Sequence, residues 1–137
     1  MNKIIRKIQY SEKVYRFDVE APLIAKSRKA GNFVIIRVDA NSERMPLTIA
    51  DADTEKGTIT LVVQKVGLSS TKLCNLNEGD EIHDVVGPLG NPTHIENFGT
   101  VLCAGGGVGV APMLPIIKAL KAAGNRVLSV IAGRSKD

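Results

Sequence analysis

Aromatic residues are scarce in this sequence of 137 residues. It contains no tryptophan, and aromatic residues make up 4% of it, which argues against the base-stacking platforms of single-stranded nucleic-acid binders. Its densest basic group is Lys26, Arg28 and Lys29, and this is shorter than the basic clusters typical of nucleic-acid interfaces. We therefore expect no nucleic-acid partner, although the formal net charge is +4.

Cysteine and histidine are almost as rare. Cys74 and Cys103 lie far apart in apolar segments, and His83 and His94 are single histidines near turns. Zinc and iron–sulfur sites need clusters of such residues at short spacing. The sequence therefore predicts no metal site, two buried free thiols, and histidines that are structural or at the surface.

Long apolar segments are also missing. No run approaches the roughly 20 apolar residues that span a bilayer, and the N-terminal residues 1–13 lack the apolar core and cleavage site of a secretory signal. With 44% hydrophobic and 23% charged residues, the composition is that of an ordinary globular protein. We expect a cytoplasmic location and no membrane partner.

Strand patterns dominate the first part of the chain. They predict strands at 4–10, 14–20, 32–38, 45–50, 57–66 and 81–86. A polar connector is expected at 26–31, and a short helix at 69–76 with Ser69 or Ser70 as its N-cap. Strands that are separated by turns, with one short helix, indicate a small antiparallel barrel.

A different pattern begins near Gly99. A strand at 100–104 runs into glycine-rich residues 105–109, then a helix at 112–123 with Pro112 in its first turn, a stop at Gly124, and a strand at 126–132. One βαβ unit cannot cover both faces of a parallel sheet. We therefore expect a complete first domain, residues 1–98, and the opening of a second, residues 99–137, within a longer chain.

Three segments have residue types suited to a phosphate group. Residues 105–112 combine a glycine-rich turn with a helix start; Arg44 precedes a proline and Thr48; and residues 67–70 combine glycine with two serines. Each has an alternative without a ligand: a tight turn, a surface ion pair and a helix cap. A fourth segment, residues 87–92, is a Gly/Pro-rich turn that needs no function.

The four segments RMPLT, VGLSSTKL, GPLGNP and CAGGGVGVAP, in this order, resemble the ferredoxin–NADP reductase superfamily. The resemblance covers essentially the whole chain. It is greatest to the branch containing the electron-transfer subunit of dihydroorotate dehydrogenase, the sulfide dehydrogenase small subunit and the alpha subunit of NADH-dependent ferredoxin:NADP oxidoreductase.

The resemblance implies a mainly β and then α/β fold: a six-stranded antiparallel Greek-key barrel that binds FAD, followed by the first βαβ unit of a Rossmann-like NAD(P)-binding domain. It also implies electron transfer between NAD(P)H and an iron–sulfur acceptor through FAD, with a larger catalytic or electron-accepting subunit, or a ferredoxin, as partner. The family's [2Fe–2S] cluster has no ligands in this chain. The alternative is a non-catalytic barrel that docks to a partner subunit.

The same resemblance implies roles for individual residues. Arg44 would neutralise the FAD diphosphate, and Thr48, the one catalytic candidate, would hydrogen-bond near the flavin atom that accepts hydride. The remaining cofactor-binding candidates flank the flavin (Pro46, Leu47, Val63, Gln64, Lys65), surround the diphosphate (Gly67, Ser69, Ser70) or form the nicotinamide nucleotide loop (Gly105, Gly106, Gly107, Gly109).

Overall fold

Seven strands of the first 89 residues form one antiparallel sheet in the computed structural model, which describes residues 2–106 and 110–132. The strands are β1 Asn2–Gln9, β2 Val14–Glu20, β3 Phe33–Arg37, β4 Met45–Asp53, β5 Thr58–Gln64, β6 Glu81–Ile82 and β7 Asp84–Leu89. Their order in the sheet is β6-β1-β2-β5-β4-β3-β7. This confirms the expected mainly β, barrel-like architecture.

The sheet nearly closes on itself because its two edge strands are neighbours in the chain. His83 alone separates β6, which pairs with β1, from β7, which pairs with β3. The His83 N–H donates to the carbonyl of Val38 at 3.2 Å, where the chain bends from one partner to the other. The single strand that we expected at 81–86 is thus split into β6 and β7. The barrel has seven strands where six were expected.

The end of β7 also differs from the expected turn at 87–92. The strand continues through Gly87 and Pro88 to Leu89, and its register against β3 shifts between Phe33 and Ile35. A Cβ at Gly87 would lie 2.9 Å from Cγ1 of Val34, so glycine permits this close approach. The irregular register accommodates a proline, which has no N–H to donate to the ladder.

Alternate residues of the strands fill the barrel with apolar side chains. The side chains of Phe17 and Val19 on β2 and of Ile59 and Leu61 on β5 are fully buried. Tyr15 is partly buried and packs against the same core. This period of two is that of a strand with one buried face.

The short helix α1, Pro22–Ser27, was not expected, and it replaces the first part of the predicted polar connector. It has a proline in its first turn and no side-chain cap, and it buries Ile24 and Ala25 against the barrel. Six residues are too few for a periodic pattern, so packing rather than propensity determines this helix.

The second part of the chain is a βαβ unit, as predicted. Strand β8, Thr100–Gly106, pairs in parallel with β9, Arg126–Ala132, and helix α3, Val110–Ala122, connects them. The strand is longer than expected because Gly105 and Gly106 pair with Ile131 and Ala132. The helix also begins before Pro112, the predicted first-turn residue.

A buried asparagine connects this unit to the segment that follows the barrel. The Asn125 side chain donates to the carbonyls of Glu96, at 2.7 Å, and Leu120, at 2.9 Å, and accepts the N–H of Phe98 at 2.6 Å. On the barrel side, α3 packs beside β4, where Lys118 pairs with Asp51 at 3.0 Å. Within the described ranges, no helix has the length and hydropathy needed to cross a membrane.

Candidate functional site

A groove opens where β4 and β5 separate. The two strands pair from Asp53 and Thr58 as far as Ile49 and Leu61, with a register shift next to Ile49, and pairing stops there although both strands continue. The resulting groove has a volume of ≈ 490 Å³. Since β5 keeps its pairing with β2 on the other side, its edge beyond Leu61 faces the groove without a strand partner from β4.

One wall of the groove is the start of β4. Met45 and Leu47 pack against the barrel core, and Leu47 also lines the groove. Because side chains alternate along a strand, Pro46 and Thr48 lie on the opposite, outer face of β4. Pro46 lines the groove, whereas Thr48 follows the lining segment and is partly exposed.

The opposite wall is the turn from β5 into helix α2, Leu68–Cys74. The buried Ser70 hydroxyl accepts the N–H groups of Val66 and Gly67, both at 2.9 Å, and donates to the Gly67 carbonyl at 3.1 Å. Gly67, not Ser69 or Ser70, is therefore the N-cap, which corrects the predicted helix start. The Ser70 hydroxyl determines the shape of the turn, while Ser69 remains partly exposed in the groove.

Gly67 leaves space that the fold itself does not need. Its φ is −153°, an extended conformation that any residue adopts, and a Cβ at this position would meet no atom of the described residues within 4 Å. Neither backbone strain nor packing therefore requires glycine at this position. The free space lies on the groove wall, where a bound molecule can approach the backbone.

The groove brings together most of the predicted flavin-site residues. Those among its lining residues are Pro46, Leu47, Val63, Gln64, Gly67, Ser69 and Ser70. Arg44 and Lys65 are sequence neighbours of lining residues but do not line it themselves. Arg44 is exposed, and within the described part of the chain no carboxylate is close enough to form an ion pair with it.

Other predicted residues lie elsewhere. Gly105 and Gly106 are strand residues of β8 and do not line this groove, and Gly107 and Gly109 lie outside the described residues. The residue assignments also omitted lining residues at the rim, notably Val66 and Leu68 of the VGLSSTKL segment, which are 75% and 77% exposed. Two exposed aliphatic side chains that flank a glycine were the available signal for a surface that meets an apolar ligand.

The family comparison matches this part of the chain. Residues 2–94 match the family described as "Oxidoreductase FAD-binding domain", and this range contains both walls of the groove. The chain belongs to this family.

Proteins similar to this FAD-binding domain agree with the predicted branch. The chain is 47% identical over 137 residues to the dihydroorotate dehydrogenase B (NAD(+)) electron transfer subunit homolog of Thermotoga maritima. This match covers 100% of this chain and 49% of that protein. It is 32% identical to the electron transfer subunit of Bacillus caldolyticus, covering 92% of this chain and 51% of that protein. The chain thus spans about half the length of the curated relatives it matches.

A solved structure supports the fold of the FAD-binding domain and the βαβ unit together. It is the NADH-dependent reduced ferredoxin–NADP oxidoreductase, described for its flavin-based electron bifurcation. The TM-score is 0.97 at 47% identity, over 99% of this chain and 49% of the other. The resemblance to the ferredoxin–NADP reductase fold is thereby confirmed.

The two cysteines of the chain have no role in the groove. Both are buried and unpaired, as predicted. Burial raises the pKa of the Cys74 thiol, although the positive charges of Lys65 and Lys7 oppose this effect. Cys74 is therefore a neutral packing residue at the end of α2. Within the described ranges, no three His, Cys, Asp or Glu side chains cluster as metal ligands.

Proposed function

We propose that the groove between β4 and the β5–α2 turn binds FAD, and that the protein passes electrons from NAD(P)H to an iron–sulfur acceptor. The observation that carries this proposal is the convergence of seven predicted flavin-site residues on one groove inside the segment that matches an FAD-binding domain. FAD, when bound, supplies an acceptor for hydride and a donor of single electrons.

The residues of the groove fit the two chemical parts of such a ligand. Arg44, which has no carboxylate partner among the described residues, provides a guanidinium for the diphosphate. The space beside Gly67, with the partly exposed Ser69, would admit the phosphates close to the backbone. Ser70 contributes by holding the turn. The backbone edge of β5 beyond Leu61, which includes Val63 and Gln64, has no strand partner from β4 and offers hydrogen bonds to the polar rim of the flavin. The Lys65 N–H already donates to the Lys13 carbonyl at 2.7 Å, and Leu47 provides apolar cover.

We assign Thr48 the catalytic position. Thr48 comes directly after Leu47 in β4, and its side chain lies on the outer face of the strand. Its backbone is fixed by pairing with Phe33 of β3. Its hydroxyl is the group that would hydrogen-bond the flavin atom that receives hydride. The nicotinamide nucleotide would lie against the C-terminal unit, with Gly105 and Gly106 at the end of β8, and Gly107 and Gly109 after them, as its proposed contacts.

The names of the relatives support the partner proposal. They include electron transfer subunits of a dihydroorotate dehydrogenase and a ferredoxin–NADP oxidoreductase. We propose that this domain arrangement, a Greek-key flavin barrel at residues 1–98 and a Rossmann-like opening at 99–137, works with a larger electron-accepting subunit or a ferredoxin. A [2Fe–2S] cluster would belong to that partner or to a further segment, and the cytoplasm is the proposed location.

The first experiment is a visible absorption spectrum of the purified protein with and without added FAD. Bound flavin shifts its visible bands, and NADH then bleaches them if hydride transfer takes place. A matched pair of variants tests the diphosphate assignment. Arg44→Ala should lose flavin, whereas Arg6→Ala, which removes an exposed arginine from β1, should retain it.

Two results would contradict the proposal. Flavin content that is the same in Arg44→Ala and the unmodified protein would remove Arg44 from the diphosphate site. Failure of the unmodified protein to bind FAD, repeated in a form extended to the length of its relatives, would favour the non-catalytic docking module.

A further inference from the structure

A lysine of α2 contacts the loop that precedes β4, and so connects the two walls of the groove. Lys72 is the one charged residue of α2, and its Nζ lies 3.8 Å from Oδ2 of Asp39 and 3.5 Å from Oγ of Ser42. Asp39 and Ser42 belong to the loop between β3 and β4, which leads directly into Arg44. Lys72 thus joins the helix after the serine turn to the loop that carries the arginine.

The two carboxylate oxygens of Asp39 make different contacts. Its Oδ1 accepts the Asn41 N–H at 2.9 Å and the Ser42 hydroxyl at 2.8 Å, which folds the loop into a tight turn. Its Oδ2 faces Lys72. The Ser42 hydroxyl, the Asn41 N–H and the charge of Lys72 all lower the pKa of Asp39, so the carboxylate is ionised at neutral pH.

We propose that Lys72 is a positioning residue for the flavin groove: through Asp39 it fixes the β3–β4 loop relative to α2, and so holds Arg44 and the serine turn at the separation that FAD requires. This inference rests on the proposed FAD function. No other hydrogen bond or ion pair between described residues of the loop 39–44 and α2 spans the groove. Because the contact is made by side chains of this chain alone, it can organise the groove in advance of binding.

A rival explanation is that Lys72 binds a phosphate of FAD directly. The two explanations predict opposite signs for one substitution. Asp39→Asn keeps an oxygen that accepts the Asn41 N–H and the Ser42 hydroxyl, so the turn remains, but it removes the charge that holds Lys72. A positioning role predicts weaker FAD binding in this variant. A direct phosphate ligand, released from its carboxylate partner, predicts tighter binding.

The experiment measures the FAD dissociation constant by flavin fluorescence for the unmodified protein, Asp39→Asn, Lys72→Met and the double variant. We expect each single variant to weaken binding about two- to five-fold at low salt, the range of an exposed ion pair. The double variant should be no worse than either single one, since both remove the same contact. At high salt the differences should shrink, because both side chains are partly exposed.

Asp53→Asn is the matched control. Asp53 holds a similar turn through the N–H groups of Glu55 and Lys56, at the other end of β4, and its substitution should leave FAD affinity unchanged. Unchanged affinity in Asp39→Asn, tighter binding, or additive losses in the double variant would each overturn the proposal.

A second readout is independent of FAD. In the flavin-free protein, Lys72→Met and Asp39→Asn should both speed amide hydrogen exchange in residues 39–44, and exchange that stays unchanged would overturn the connection itself. If the unmodified protein binds no FAD while both variants speed this exchange, the proposed function fails and the structural connection stands.

Discussion

At the scale of single residues, Gly67 offers a direct test of the proposed ligand groove, because neither its φ nor its described surroundings require glycine. Gly67→Thr keeps a good N-cap residue type for α2 and places a branched side chain in the open space of the groove. We expect the unfolding midpoint to be unchanged or raised, and FAD affinity to fall about tenfold, which corresponds to about 1.4 kcal/mol.

A graded series provides the control for this substitution. Gly67→Ala, Gly67→Ser and Gly67→Thr add increasing volume at one point, so the loss of affinity should follow the volume while thermal unfolding does not. Equal affinities across the series, measured by flavin fluorescence titration, would show that the bound molecule does not use the space beside Gly67.

Thr48 allows a separation of binding from chemistry. Thr48→Val keeps the branched shape on the outer face of β4 and removes only the hydroxyl. We expect FAD to remain bound, while the rate of flavin reduction by NADH in stopped-flow measurements falls about tenfold, the size of one lost hydrogen bond of 1–1.5 kcal/mol. An unchanged reduction rate with full flavin content would remove Thr48 from the catalytic position.

At the scale of secondary structure, helix α3 is held beside β4 by an acid-sensitive contact. Asp51 pairs with Lys118 at 3.0 Å and with Arg28 at 3.7 Å. Burial alone raises the pKa of Asp51. The Lys118 hydrogen bond, the Ala52 N–H and the charges of Lys118 and Arg28 together outweigh it, and the pKa lies below its ordinary value of 3.8.

The sign of the pH dependence follows from that direction. A carboxylate whose pKa is lower in the folded state contributes stability above pH 3.8, and the contribution is lost as the pH falls below this value through the folded pKa. Asp51→Asn should therefore flatten the acid limb of the stability profile and lower the free energy of unfolding at pH 7 by up to about 1 kcal/mol.

Two lysines of α3 provide the comparison. Lys118→Met should reproduce much of this effect in urea unfolding at pH 7, whereas Lys121→Met, on the same helix and also exposed, should not. Equal effects of the two lysine substitutions would mean that the Asp51 contact does not hold the helix.

The elements that the sequence predicted correctly are those with a repeating pattern. The alternation in β2, the β-rich run of β5 and the turn residues that end them predicted both strands, and the apolar strands β8 and β9 lie on either side of a clearly predicted helix. The errors lie where one local contact overrides the pattern: the Val38 carbonyl that bends the chain at His83, the Ser70 hydroxyl that moves the cap to Gly67, and the core that stabilises α1.

The candidate site followed the same rule. The motifs around Pro46 and Gly67 predicted which segments form the two walls, because short motifs report local chemistry. They did not predict that β4 and β5 separate beyond Leu61, or that Lys72 connects the walls, since both depend on pairing between distant residues. Val66 and Leu68 lie within the VGLSSTKL segment but were assigned no role, because an aliphatic residue type alone does not indicate a ligand contact.

At the scale of the whole molecule, the two sheets differ in how completely they are covered. In the barrel, the inward side chains of the strands, such as Phe17 and Leu61, are fully buried. Strands β8 and β9 form a two-stranded sheet, and α3 packs against one face of it but leaves Ile131 64% exposed. On the other face Leu102, Leu128 and Val130 are 66%, 44% and 54% exposed. Parallel sheets are normally covered on both faces, so this unit has fewer apolar contacts to stabilise it.

Native-state hydrogen exchange will measure this difference strand by strand. Amides of β2 and β5 should exchange only with global unfolding, whereas those of β9, paired on one side and exposed on its open face, should exchange through a smaller opening with lower protection. Added FAD should slow exchange at Val62–Gln64, beside the groove, more than in β9. Equal protection of β5 and β9 at all denaturant concentrations would show that barrel and βαβ unit unfold as one, against the predicted division at residue 98.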